Sequence, residues 1–198
     1  AEGNNASNNL IYGNIFQNNA IAINLTEYST GNIIYNNTIY ANNIGLYIDA
    51  GGNTVYWNSF ISNNVSATSG IYVNAWDHGY PYGGNYWSNI ISIDLYRGPN
   101  QNELGSDGIN DTGHTIAVDN VDRYPLVKPF SAHDIGITNV TASKTVVGQD
   151  LTLHIELKIL NYGINNELFT VTVYANTTTI AMNTIALTKR NSTIITFT

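Results

Sequence analysis

Three stretches of the chain decide its fold: NNLIYGNIFQNNAIAINL (residues 8–25), NIIYNNTIYANNIGLYI (32–48) and NTVYWNSFISNNVSATSGIYV (53–73). Laid over one another on their Asn-Asn pairs, Asn18-Asn19, Asn42-Asn43 and Asn63-Asn64, they recur after 24 and then 21 residues. A period of this size, built from short apolar runs without helical spacing, predicts a β-solenoid whose repeats stack as coils.

This overlay assigns five inward columns: Leu10, Ile34 and Val55; Ile15, Ile39 and Phe60; Ala20, Ile44 and Val65; Ile23, Leu46 and Ile71; Leu25, Ile48 and Val73. Stacked at ~4.8 Å, each column becomes an apolar ridge. The Asn pairs fall at corners. Asn tolerates the left-handed backbone of a sharp corner, and stacked amides hydrogen-bond from coil to coil. Alternate side chains face outward, so Tyr47 and Tyr72 share one outer column above Asn24, and Tyr35 and Tyr56 another above Ile11. Such columns stabilise a sheet by cross-strand packing. The same amphipathic rings also make platforms for sugars, so Tyr35, Tyr47, Tyr56 and Tyr72 are the candidate carbohydrate-binding residues.

A chain of 198 residues holds one or two domains. With 43% hydrophobic and only 11% charged residues it can bury a core. A net charge of −7 with seven Lys plus Arg argues against nucleic acid as a partner. No apolar run approaches the ~20 residues of a membrane-spanning helix. The polar opening carries no signal peptide, so the chain reads as processed or as an interior piece of a longer protein. Cysteine is absent, which excludes a disulfide framework. N-glycosylation signals occur at Asn5, Asn24, Asn36, Asn64, Asn110, Asn139, Asn176 and Asn191. From 31 Asn and 33 Ser plus Thr, chance gives roughly five such signals. The mild excess favours an extracellular or cell-surface glycoprotein, with envelope or periplasm as the bacterial equivalent.

After the coils (residues 1–75) the pattern breaks. Residues 76–131 are irregular and rich in Gly, Tyr, Trp and Asp, with turns at Pro81-Tyr82-Gly83-Gly84 and Gly98-Pro99-Asn100. An open solenoid end needs covering, and Trp76, Tyr86, Trp87, Ile91, Tyr124, Leu126 and Phe130 are the residues to do it. Within this cap the ordered series GNYWS (84–88), Asp94, SDGIND (106–111) and NVDRYPL (120–126) resembles the end of the NosD-type family. The resemblance implies a right-handed, pectate-lyase-like parallel β-helix over about residues 8–130, with copper delivery as the family's role.

Residues 132–198 read as short strands: 134–140, 151–159 after a Gly148-Gln149 turn, 169–174, 180–187 and 193–197, with an Asn161-Tyr162-Gly163 turn. This spacing predicts an immunoglobulin-like sandwich lacking its last strand. The opening DIGITNV and the Asn-Tyr-Gly turn resemble a CARDB-type adhesion module.

The chemistry is sparse. Polysaccharide hydrolysis takes two carboxyl groups about 5–9.5 Å apart, and the three repeats (residues 8–73) carry only Glu27 and Asp49, with no Lys, Arg or His. Copper favours Cys, Met or grouped His, against one Met (Met182) and four scattered His: His78, His114, His133 and His154. Asp107, Asn110 and Asp111, with Asp119 or Asp122, are candidate Ca²⁺ ligands; the alternative is an Asp/Asn turn satisfying its own backbone. The reading is a non-catalytic secreted or surface protein, structural or adhesive, whose rigid solenoid presents modules to surface glycans and other surface proteins. A carbohydrate-binding or polysaccharide-processing protein is the alternative, and copper-site maturation the third.

Overall fold

The computed structural model describes residues 6–144, 152–163 and 165–198. The chain divides into two compact units, Ala1–Phe130 and Ser131–Thr198. Every regular element among the described residues is a β-strand.

Unit 1 begins with three coils of three strands each. The first holds β1 (Leu10–Tyr12), β2 (Ile15–Gln17) and β3 (Ile21–Leu25). The second holds β4 (Ile33–Tyr35), β5 (Thr38–Tyr40) and β6 (Ile44–Ile48). The third holds β7 (Thr54–Tyr56), β8 (Ser59–Ile61) and β9 (Val65–Ser69). They stack as three parallel sheets, β1-β4-β7, β2-β5-β8 and β3-β6-β9, and β10 (Tyr86–Trp87) continues the second. The solenoid expected from the repeat is therefore present.

Its register differs by one residue in the first coil. Ile11, not Leu10, lies beneath Ile34 and Val55, and Phe16, not Ile15, lies beneath Ile39 and Phe60. Leu10 and Ile15 point outward, 59% and 70% exposed. In the third coil Ala67 and Ser69 complete the columns of Leu46 and Ile48, while Ile71 is 89% exposed and Val73 also lies outside. Ile21, Ile44 and Val65 pair in place of the expected Ala20 column and line the outer side.

The cause is the corner. At nine corners a residue with φ between +51° and +73° precedes an Asn that turns inward: Asn8, Gly31 and Gly52; Gly13, Asn36 and Trp57; Asn18, Ala41 and Ser62. The repeat unit is thus "left-handed residue, then Asn". In the first Asn-Asn pair the inward Asn is second (Asn19); in the other two it is first (Asn42, Asn63). Aligning pairs instead of ladder residues shifts coil 1 by one place, which in a period-two strand reverses every side chain. The corner between sheets one and two is two residues long in every coil, and the next is three. Only the third varies, with seven residues (26–32) in coil 1 and five (49–53) in coil 2.

The core is Ile34, Ile39, Leu46, Ile48, Val55 and Phe60, all fully buried, closed by Trp76 and Trp87. Each such side chain contributes about 1.5–3 kcal/mol by leaving water. The rest of unit 1 adds two antiparallel hairpins, β11 (Tyr96–Arg97) with β12 (Glu103–Leu104) and β13 (His114–Ala117) with β14 (Asn120–Asp122). Ile116 packs on the coil core, and Leu126 bridges to Tyr86 and Ile109. Of the expected covering residues Ile91 is the exception, at 83% exposed.

Unit 2 contains β15 (Ile135–Ala142), β16 (Ile155–Asn161), β17 (Glu167–Ala175), β18 (Thr178–Leu187) and β19 (Ser192–Phe197). They form antiparallel sheets, β15-β16-β19 and β17-β18. Leu157, Ile159, Leu187 and Phe197, drawn from both sheets, are its buried core. The strand expected over 151–159 starts at Ile155 and runs to Asn161. The Gly148-Gln149 turn and Leu151 lie outside the described residues. Asn161 is wholly buried; its amide donates to the Asn165 carbonyl at 2.8 Å and its side-chain oxygen accepts from Gly163 N–H at 2.9 Å, which explains the turn.

Candidate functional site

The inward Asn residues form three ladders along the coils. In each rung the backbone N–H and the side-chain amide of one Asn both donate to Oδ1 of the Asn above. Asn9 to Asn32 is bonded in this way at 3.0 and 3.0 Å, Asn37 to Asn58 at 3.1 and 2.9 Å, and Asn42 to Asn63 at 2.9 and 3.0 Å. Further amide protons reach strand carbonyls of the coil below, as from Asn58 to Ile34 O at 2.8 Å. Buried amides this fully paired are stabilising, because each would otherwise carry its desolvation cost.

A directional ladder needs an acceptor at its end, and β14 supplies two. Asn120 Oδ1 accepts from Asn74 N–H at 3.0 Å and from the Trp76 indole at 2.9 Å. Asp122 Oδ2 accepts from Asn85 N–H at 2.7 Å and from the Trp87 indole at 2.9 Å, while its Oδ1 accepts from Tyr124 N–H at 3.1 Å. Gly84 leaves the space for this carboxyl, since a Cβ there would collide with it. Burial pushes Asp122 up to about 7 despite those donors. Beside it, Arg123 binds Asp77 bidentately, Nε to Oδ2 at 2.9 Å and NH2 to Oδ1 at 2.7 Å. Burial alone would raise Asp77, but the Arg123 bonds outweigh it and hold that carboxyl below its ordinary range. Asp77, Asp119 and Arg123 line a cleft of about 380 Å³. The motifs GNYWS and NVDRYPL thus contain the ladder ends. Sequence reading missed this role, although Asn120, preceded by left-handed Asp119, repeats the corner signal.

On the outer face of the first sheet, Tyr12, Tyr35, Tyr56 and His78 stack at centroid distances of 5.1, 5.4 and 4.6 Å, with planes within 18°. Trp57 meets Tyr56 edge-on at 4.9 Å and stacks on Phe130 at 4.7 Å. Tyr35 and Tyr56 therefore do share a column, with Tyr12 below them in place of Ile11. Both ring faces of Tyr35 are covered by Tyr12 and Tyr56, and Tyr12, 55% exposed, ends the stack. Tyr47 stands between Asn24 and Thr68, and Tyr72 is in the following turn, so those two share no column.

The acidic turn is also committed to backbone. Asp107 accepts from Ile109 N–H, Gly98 N–H and the Gln101 amide, Asn110 Oδ1 from Ile93 N–H, and Asp111 from Leu95 and Tyr96 N–H. Asp94 accepts from Asp107 and Gly108 N–H. Burial raises both Asp94 and Asp107. Among the described residues no group of three or more His, Cys, Asp or Glu is placed to hold a metal ion. Of the glycosylation signals, Asn24, Asn36, Asn64, Asn139, Asn176 and Asn191 are exposed. Asn110 is 2% exposed, out of reach of a transferase in the folded state, and Asn5 lies outside the described residues.

Residues 3–91 match the family model described as periplasmic copper-binding protein (NosD). The match spans the three coils and β10, and the solenoid fits a NosD-type β-helix; it stops short of the SDGIND and NVDRYPL motifs. No curated protein and no solved structure matches the chain. The copper in that description can be set against the donors present. His78 is the one histidine within the matched residues and there is no Cys, and its ring is stacked on Tyr56 and flanked by Trp57 and Tyr82. Copper sites gather several His, Met or Cys donors. These residues do not fit one.

Proposed function

We propose that the chain is a non-catalytic scaffold of the cell envelope, in which the β-helix acts as a rigid spacer and unit 2 is an immunoglobulin-like, CARDB-type adhesion module. The observation that carries this reading is the commitment of the buried Asn side chains of the coils to ladders that end on Asn120 and Asp122, which stiffens the coils. Two antiparallel sheets around one core favour the module, and the family described as periplasmic favours the envelope. Surface glycans and other envelope proteins are the partners this reading implies.

Copper handling is the second reading, favoured by the family-model match over residues 3–91 and opposed by the donor set. One experiment separates the two: calorimetric titration of the purified chain with Cu(I) and Cu(II), alongside reducing-end release from neutral and acidic polysaccharides. The scaffold reading expects neither stoichiometric copper binding tighter than about 1 μM nor released ends. Either result overturns it.

A further inference from the structure

The variable corner between the third and first sheets holds a feature that the scaffold does not require. In coil 1 the turn closes with Ser29 N–H donating to Thr26 O at 3.1 Å, and Tyr28 occupies its third position with φ +68°. With φ positive only there, the turn is of type II, where Gly or Asn is the residue that fits. A bulky side chain there is an outlier; the turn is held by Ser7, whose hydroxyl donates to Tyr28 O at 2.9 Å and accepts from Thr30 N–H at 3.2 Å. Tyr28 is 66% exposed.

Two coils further on, Tyr72 stands 47% exposed in the equivalent turn. Between them the coil 2 residues that line the cleft are Ala50 and Gly51, while the Asp49 carboxyl turns toward Gly70. A Cβ on Gly51 would lie 3.2 Å from Tyr72 Cβ, so the ring packs directly against that glycine. Large, small, large in successive coils leaves a cleft of about 410 Å³ lined by Tyr28, Tyr72, Ala50, Gly51, Glu27 and Thr30. Thr30, Gly51 and Tyr72 stack in register, since Gly31 N–H donates to Gly52 O and Gly52 N–H to Val73 O, and Tyr28 stands beside them in the two-residue excess of the coil 1 turn. The volume is at the lower end of the ~300–1,000 Å³ typical of ligand sites.

We propose that this cleft binds one or two units of a neutral glycan, held between Tyr28 and Tyr72 with Glu27 and Thr30 engaging its hydroxyls. Tyrosine suits the partly apolar, partly polar faces of such a ring. Among the described residues no basic side chain lines the cleft, which argues against phosphates and uronic acids, and the Glu27 carboxylate would repel both. The inference goes beyond the scaffold reading and does not depend on it.

The test is titration of the purified chain with cellobiose, chitobiose, digalacturonate and choline, followed by amide NMR shifts at Thr30 and Gly51. A neutral disaccharide is expected to move both signals. Tyr28→Gly and Tyr72→Ala should each weaken that binding roughly tenfold or more. Tyr28→Gly should also melt at or above the parent temperature, because it relieves the turn, so lost binding is separable from lost folding. No shift with either neutral sugar overturns the proposal, as does a response to choline alone or unchanged binding by Tyr28→Gly.

Discussion

Asn58→Ala tests the ladders most directly. Asn58 is fully buried; its Oδ1 accepts from Asn37 N–H and the Asn37 amide, and its own amide donates to Asn85 Oδ1 at 3.0 Å and Ile34 O at 2.8 Å. Truncation leaves the Asn37 N–H without its partner and takes a bond from the Ile34 and Tyr56 carbonyls. The Asn37 amide retains the Ile11 and Tyr35 carbonyls, and Asn85 Oδ1 retains the Asn58 backbone N–H. One orphaned donor at about 1–3 kcal/mol, two lost carbonyl bonds at about 1 kcal/mol each and the small void give a loss of about 4 kcal/mol.

The control is Asn43→Ala. Asn43 is also half of an Asn-Asn pair, but it is exposed and its side chain only accepts from Asn64, so its loss should be within about 0.5 kcal/mol. All three tryptophans, Trp57, Trp76 and Trp87, belong to unit 1, so urea unfolding read by tryptophan fluorescence isolates the relevant transition. At roughly 2–4 °C per kcal/mol, Asn58→Ala should also melt about 10 °C lower. If the two variants come within 1 kcal/mol of each other, the inward Asn residues are not what holds the coils in register, and the argument from ladders fails.

Asp122 binds a proton more tightly folded than unfolded, so its contribution to unit 1 is present in acid and is lost as pH rises from about 4 through about 7. The ceiling is roughly 4 kcal/mol, and urea midpoints at pH 5, 6.5 and 8 should fall with pH in the parent and flatten in Asp122→Asn. Asp77 has the opposite sign: lowered by Arg123, it stabilises above the ordinary carboxylate range and loses that below it. Arg123→Ala strands a nearly buried carboxylate and should cost about 2–3 kcal/mol, seen as faster proteolysis of the 77–84 loop. Tyr35→Ala should cost about 1–2 kcal/mol and Tyr35→Phe almost nothing, because ring contact and not the hydroxyl makes the stack; thermal melts of both variants decide it. Chelation with EDTA should leave the melting of unit 1 unchanged, since Asp107, Asn110 and Asp111 already accept backbone N–H bonds, and a Ca²⁺-dependent rise would restore the metal reading.

The period and the apolar character of the coils were legible in the sequence because any stacked coil must repeat its inward residues. The register was not, because two kinds of Asn look alike in one-dimensional text. Asn18 supplies the left-handed φ and Asn19 the inward amide, whereas in Asn42-Asn43 the left-handed residue is Ala41. Only hydrogen bonding separates the roles. Tyr72 was misplaced for a related reason: coil 3 ends its last strand at Ser69, and the apolar run Ile71-Tyr72-Val73 resembles the strand it follows. The aromatic cap was legible as cover, yet the use of Asn120 and Asp122 as ladder ends depends on a hairpin that returns 35 or more residues later.

This geometry also limits where recognition can reside. Two of the three corners have fixed length and an inward amide in every coil, so a residue inserted there would displace a buried ladder rung and reverse the strand that follows. The third corner already tolerates a difference of two residues between coils 1 and 2, because its ladder Asn sits at the end of the turn and the extra length loops outward. Glu27 and Tyr28 lie in that longer turn, as does Thr30. A rigid solenoid with one permissive edge places variable chemistry along a single line, and successive coils offer it at a spacing of ~4.8 Å.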